Sequence, residues 1–217
     1  MRYPHAHSGV KKLFICELIA IIASTLAVVG SILAAIGLKK DALLLTGGSL
    51  LLASGIALVV VFILQLVGLH QAGKDETQIK YAFYLTILGI VLGVVSAILG
   101  SLTKSKGIEI AQAFVEAAET VATLLASYYV LAGIASLANR LGDKAMAKRG
   151  KALANWVIIF FLVSTIFDLF GVILKTYPAE WLKVVAVILA IVAEIAKLVV
   201  YIITFFYYAK AVKMLEE

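Results

Sequence analysis

Charge is what this sequence most lacks. Only 15% of its 217 residues are Asp, Glu, Lys or Arg, whereas 63% are hydrophobic and the mean hydropathy is +1.07. Soluble domains are roughly 45–50% apolar and about 25% charged, so a soluble fold of this length would have too little polar surface to face water. The composition therefore excludes a soluble globular domain and predicts a protein whose solvent is lipid.

Cysteine, proline and catalytic motifs are scarce or missing as well. The single cysteine, Cys16, cannot form an intramolecular disulfide, and the two prolines, Pro4 and Pro178, lie outside the apolar runs. Gly47-Gly48 is the only position that suggests a broken span. The sequence contains no HExxH, Walker loop, GxSxG or intramembrane Gly-Asp protease motif. We therefore expect no catalytic residue, no metal site and no cofactor, and an enzyme is disfavoured.

Six apolar runs follow one another, each close to the roughly 20 residues that a spanning helix needs. They predict an all-α membrane protein, a bundle of six transmembrane helices in one domain over residues 1–217, with helices near 13–37, 42–69, 81–102, 108–138, 152–174 and 181–208. The first run follows a basic leader and resembles a secretory signal peptide. It is longer than an h-region of 7–15 residues and contains Glu17, so we expect a retained helix.

A weak internal repeat predicts that the helices form three tandem hairpins. Gly73-Lys74-Asp75 precedes the third helix, and Gly142-Asp143-Lys144 precedes the fifth. Three hairpins of this kind would all enter the membrane from the same side. The Gly-Lys-Asp loop resembles loops in small multi-span families of bacteria and archaea, and this resemblance implies a prokaryotic membrane but no activity.

The basic residues predict the topology of the chain. The N-terminus, the second and fourth loops and the C-terminus carry twelve Lys or Arg residues, and the other three loops with their flanks carry six. By the positive-inside rule, both termini lie in the cytoplasm of a cytoplasmic-membrane protein. Because these residues are scattered over short loops, they do not form a nucleic-acid surface.

Polar residues inside the apolar runs are the candidate functional residues. Charged groups near the centre of a span cost roughly 2.5–3.5 kcal/mol each, so they tend to be functional. In the fourth run, polar residues recur at helical spacing on one stripe: Glu109, Gln112, Glu116, Glu119, Thr123 and Ser127. The fifth and sixth runs add Ser164, Thr165, Asp168, Glu194, Lys197, Tyr201, Thr204 and Tyr208.

These stripes predict a polar cavity between helices four, five and six. Its candidate pathway residues are Glu116, Glu119, Thr123, Asp168, Glu194, Lys197 and Tyr201. We expect Glu119, Glu194 and Lys197 to share one buried network. Because carboxylates outnumber the single lysine, some are protonated or are joined by a cation or cationic small molecule.

Three functions remain open on the sequence alone. The first is a small transporter or channel in which the carboxylates handle a proton or a cation. The second is a non-catalytic membrane subunit whose polar stripes bind a partner protein or a second copy, since polar side chains also hold helices together. The third, an enzyme acting on lipid, lacks any motif to support it.

The topology can be tested with single cysteines placed in the loops after Cys16 has been replaced. We expect an impermeant maleimide, applied to intact cells, to label positions 39, 104 and 175 but not positions 74 and 148, because the twelve-to-six bias places the last two in the cytoplasm. Labelling at position 148 without labelling at position 39 would show that the chain has the opposite topology.

Overall fold

The structure of the chain is a computed structural model. The model describes residues 2–36, 41–102, 106–175 and 180–216. Within these ranges, the side chains of residues 41, 106, 107, 109, 110, 113, 160–175, 180–184 and 186–198 are not described. Among the pathway residues predicted from the sequence, the side chains of Asp168, Glu194 and Lys197 therefore lie outside the described residues.

The described chain forms six α-helices and contains no strand. They are α1 (Pro4–Ile36), α2 (Asp41–Ala72), α3 (Thr77–Ser101), α4 (Lys106–Arg140), α5 (Lys144–Lys175) and α6 (Glu180–Glu216). The prediction of an all-helical chain is confirmed. Helix α2 runs without interruption through Gly47-Gly48, so the break suggested at that position does not occur.

Four helices are long and apolar enough to cross a membrane: Pro4–Ile36, Ala42–Ala72, Thr77–Ser101 and Phe114–Arg140. In α1, α2 and α3, only 6–17% of the most apolar window is buried inside the protein, compared with 50% in α4. Long apolar helices that expose most of their surface are the expected form of spans whose solvent is lipid. That α5 and α6 also span the membrane stays a prediction.

Three helices extend well beyond the apolar runs predicted from the sequence. Helix α1 begins at Pro4 instead of residue 13, α5 begins at Lys144 instead of residue 152, and α6 ends at Glu216 instead of residue 208. These extensions are rich in charge, and hydropathy therefore misses them. Each still buries small or apolar residues, among them Ala6 in α1, Ala147 in α5 and Ala211 in α6, and this packing stabilises the extra turns.

The chain divides into two compact units, and the prediction of a single domain stays a prediction. The first unit comprises residues up to Asp75 together with residues from Val212 onward, and the second comprises Glu76–Ala211. In the first unit, α1 packs against α2. In the second, α4 packs against both α3 and α5. The pairs α1–α2 and α3–α4 pack side by side, and the repeat of three tandem hairpins stays a prediction.

Glycine allows α1 and α2 to approach each other at both ends of their contact. A Cβ on Gly9 would overlap the backbone of Gly68, and a Cβ on Gly47 would lie 2.7 Å from the carbonyl oxygen of Gly30. Between these points, the Cys16 thiol donates to the carbonyl oxygen of Val61 at 3.4 Å. Small residues at such points let helix backbones meet closely within a bilayer.

The loop between α4 and α5 is fixed by backbone and capping hydrogen bonds. After α4, the amide of Asp143 donates to Ala138 O and the amide of Gly142 donates to Asn139 O. Gly142 has a φ of +88°, so these bonds form a Schellman turn that needs glycine. Asp143 then caps α5, because its carboxylate accepts from the amide of Met146 at 2.8 Å.

Two adjacent glycines of α2 provide a matched test of the α1–α2 contact. A Cβ on Gly47 would lie 2.5 Å from Ala34 N, a backbone atom that cannot rotate away, whereas a Cβ on Gly48 would meet nothing within 4 Å. We expect Gly47→Ala to lower stability by about 1–3 kcal/mol through overpacking, and Gly48→Ala to lower it not at all. Thermal melting of the purified protein in detergent compares the two variants, and equal melting temperatures would contradict the contact.

Candidate functional site

A face of small residues on α3 meets the polar stripe of α4. Gly89, Gly93, Ser96 and Gly100 recur on α3 at spacings of four, three and four, which places them on one side of the helix. Opposite them on α4 lie the side chains of Thr123, Glu119, Glu116 and Gln112, in that order. We call these eight residues the α3–α4 seam.

Glu116 is the hydrogen-bonded centre of the seam. Its Oε1 atom accepts from the Ser96 hydroxyl at 3.1 Å and from the Gln112 amide Nε2 at 2.8 Å. Ser96 is buried, whereas Glu116 is exposed in the isolated chain. The carboxylate is therefore oriented by two neutral donors on its inner side while its other side stays open.

Glu119 lies one turn further along α4, in the space that Gly93 leaves open. A Cβ on Gly93 would lie 3.0 Å from Glu119 Oε1 and 3.3 Å from its carboxyl carbon. Gly93 is eight residues before the end of α3, which is ~12 Å of helix at 1.5 Å per residue. The carboxyl group of Glu119 thus lies well away from the end of α3, between two helices that are apolar enough to span a membrane.

Neither carboxylate has a cation beside it in the described part of the chain. No ion pair joins Glu116 or Glu119 to a described lysine or arginine. Two carboxylates three residues apart on one helix repel each other when both are ionised. A proton or an external cation would remove this repulsion.

The structure brings together three of the seven predicted pathway residues: Glu116, Glu119 and Thr123 share the seam. The small face of α3 that they contact contains none of the pathway residues predicted from the sequence. Tyr201 is half-buried on α6. Whether Asp168, Glu194 and Lys197 join a polar interior between α4, α5 and α6 stays a prediction.

A second polar cluster, which the sequence did not reveal, stands where α3 begins. Glu76 caps α3, its side chain accepting from the amide of Gln78, and its Oε2 atom accepts from the Ser136 hydroxyl at 3.3 Å. Arg140 Nη2 lies 3.0 Å from the same oxygen, and Glu76 is only 3% exposed. The only sequence signal was an acidic residue directly before a helix, a common capping position.

No group of three or more potential metal ligands occurs among the described residues. Carboxylates of the seam could hold a cation only with oxygen ligands from outside the pair, such as the Ser96 hydroxyl, the Gln112 amide or water.

No protein-family model, curated protein or solved structure matches this chain.

The cluster at Glu76 predicts a measurable coupling with Arg140. Arg140→Gln removes the cation and leaves a buried carboxylate without its charged partner, so we expect a loss of about 1–3 kcal/mol. Adding Glu76→Gln to that variant should recover part of the loss, because the charge that needed compensation is gone. Thermal melting of the wild type, both single variants and the double variant measures the coupling. If the losses of stability in the two single variants simply added in the double variant, the ion pair would contribute nothing to stability.

Proposed function

We propose that this chain is a small transporter or channel that passes protons or a small cation, and that the α3–α4 seam is part of the pathway. The observation that carries the proposal is the pair Glu116 and Glu119, which lies inside an apolar helix without a described cation nearby. Ionisable groups at such depth are costly and are kept where they act. A carboxylate pair that needs a proton or a cation can exchange it.

The surroundings of the pair support reversible exchange. Ser96 and Gln112 are neutral donors, so they orient the carboxylate of Glu116 without neutralising it. The hydroxyls of Thr120 and Ser127 also lie on α4, but they donate to backbone carbonyls of that helix and not to the carboxylates. A pathway that continues toward Asp168, Glu194 and Lys197 remains part of the proposal.

A non-catalytic membrane subunit is the second candidate, and one observation favours it. Glu116, Thr120 and Thr123 are exposed on α4 in the isolated chain. A partner helix, or a second copy of this chain, could cover this polar strip through interhelical hydrogen bonds.

Proton flux into liposomes tests the proposed function. The full chain is reconstituted with pyranine inside, and a potassium diffusion potential set by valinomycin drives protons inward; a sodium gradient tests the alternative ion. We expect the wild type to exceed empty liposomes and Glu119→Gln to return the flux to their level, because an amide neither releases a proton nor neutralises a cation. Glu216→Gln removes an exposed carboxylate at the end of α6 and should leave the flux unchanged.

Two glycine substitutions on α3 serve as a matched pair in the same assay. Gly93→Ala would place a methyl group 3.0 Å from Glu119 Oε1, whereas Gly89→Ala would make only an ordinary contact of 3.5 Å with Thr123 Oγ1. We expect the first to reduce the flux and the second to preserve it. A wild-type flux equal to that of empty liposomes with both ions would exclude transport and favour the subunit.

A further inference from the structure

An apolar groove that contains two basic side chains lies between the described parts of α5 and α6. Its volume is about 550 Å³. Most of its described lining is hydrophobic, including Leu153 and Trp156 of α5 and Ile203 of α6. Two charged side chains, Arg149 and Lys210, complete the lining, and no described carboxylate is part of it. We call this feature the α5–α6 groove.

Arg149 and Lys210 lie close in sequence to one contact between α5 and α6. A Cβ on Gly150 would overlap the hydroxyl oxygen of Tyr207, so the Tyr207 ring meets α5 directly at this glycine. Arg149 is adjacent to Gly150, and Lys210 is one helical turn from Tyr207. Neither cation has an ion-pair partner among the described residues.

The rest of the groove has the length of a lipid tail. Its apolar lining on α6 continues to Val199, eleven residues from Lys210, which is ~16 Å of helix at 1.5 Å per residue. One leaflet of a hydrocarbon core about 30 Å thick has nearly the same depth. Arg149 also lies in the first turns of α5, within the basic segment that the distribution of basic residues assigns to the cytoplasmic surface, where headgroups of anionic lipids lie.

We propose that the α5–α6 groove is a binding site for an anionic phospholipid of the cytoplasmic leaflet. Arg149 and Lys210 bind the phosphate headgroup, and an acyl chain lies along Leu153, Trp156 and Ile203. The charge pattern selects this occupant, because an amphiphile with one anionic end matches a groove whose lining is apolar except for two cations. A zwitterionic lipid fits the same shape but lacks the net negative charge.

Fluorescence quenching of Trp156 measures the binding directly. The chain contains two tryptophans, so Trp181→Phe leaves Trp156 as the only reporter, and it lines the groove. The full chain is reconstituted in phosphatidylcholine, and brominated phosphatidylglycerol or brominated phosphatidylcholine is added at equal mole fractions. We expect stronger quenching by the anionic lipid and a roughly fivefold loss of its relative affinity for each cation removed, since attraction of about 1 kcal/mol per basic residue corresponds to that factor.

Variants with matched charge separate a specific site from general surface attraction. Arg149→Gln with Lys210→Gln should abolish the preference for phosphatidylglycerol. Lys148→Gln with Lys151→Gln removes the same charge from exposed neighbours outside the lining and should preserve it. If the first pair fails to fold, Arg149→Lys with Lys210→Arg provides a second measurement, and the preference should persist.

Three results would overturn the proposal. Equal quenching by the two brominated lipids would mean that the groove does not select charge. Equal losses in the two glutamine pairs would assign the preference to diffuse surface charge. Absence of quenching by either lipid would mean that a second copy or a partner helix covers the groove.

Discussion

Lipid tails are as apolar as leucine side chains, so helices within a bilayer gain little by hiding hydrophobic surface from it. The helices of this chain are instead joined where small residues let them approach. Between α1 and α2, the space beside Gly9 and Gly47 is filled by the backbone of the neighbouring helix. Between α3 and α4, the space beside Gly93 is filled by the carboxyl group of Glu119. Glycine therefore serves close packing in one pair and room for an ionisable group in the other.

The number and order of the helices could be predicted from the sequence, because a long apolar run is a strong signal that needs no tertiary information. Their ends could not be. Residues 144–151 of α5 carry four basic side chains, so their low hydropathy predicts a loop. They are helical because one face, with Met146, Ala147 and Gly150, is buried. Local composition does not show which residues become buried against another helix.

The candidate site was only half predictable for a similar reason. Helical spacing places Glu116 and Glu119 on one stripe, but it does not say which helix that stripe meets. The neighbour proved to be the small face of α3, since Ser96 donates to Glu116 and Gly93 makes room for Glu119. Glu76 was missed because its role depends on Arg140, which is distant in sequence and becomes its neighbour only when α3 and α4 pack.

The lengths of the helices have a consequence for what stabilises the protein. Helices α1 and α4 contain 33 and 35 residues, or ~50 Å of helix, whereas the hydrocarbon core of a bilayer is about 30 Å thick. Because of their charges, we expect the first turns of α1, where Ala6 and Val10 are buried close to Lys11 and Lys12, to lie in water or headgroups. There the hydrophobic effect operates as in a soluble protein. Urea weakens this part of the molecule, while bilayer thickness and lipid composition govern the part within the membrane.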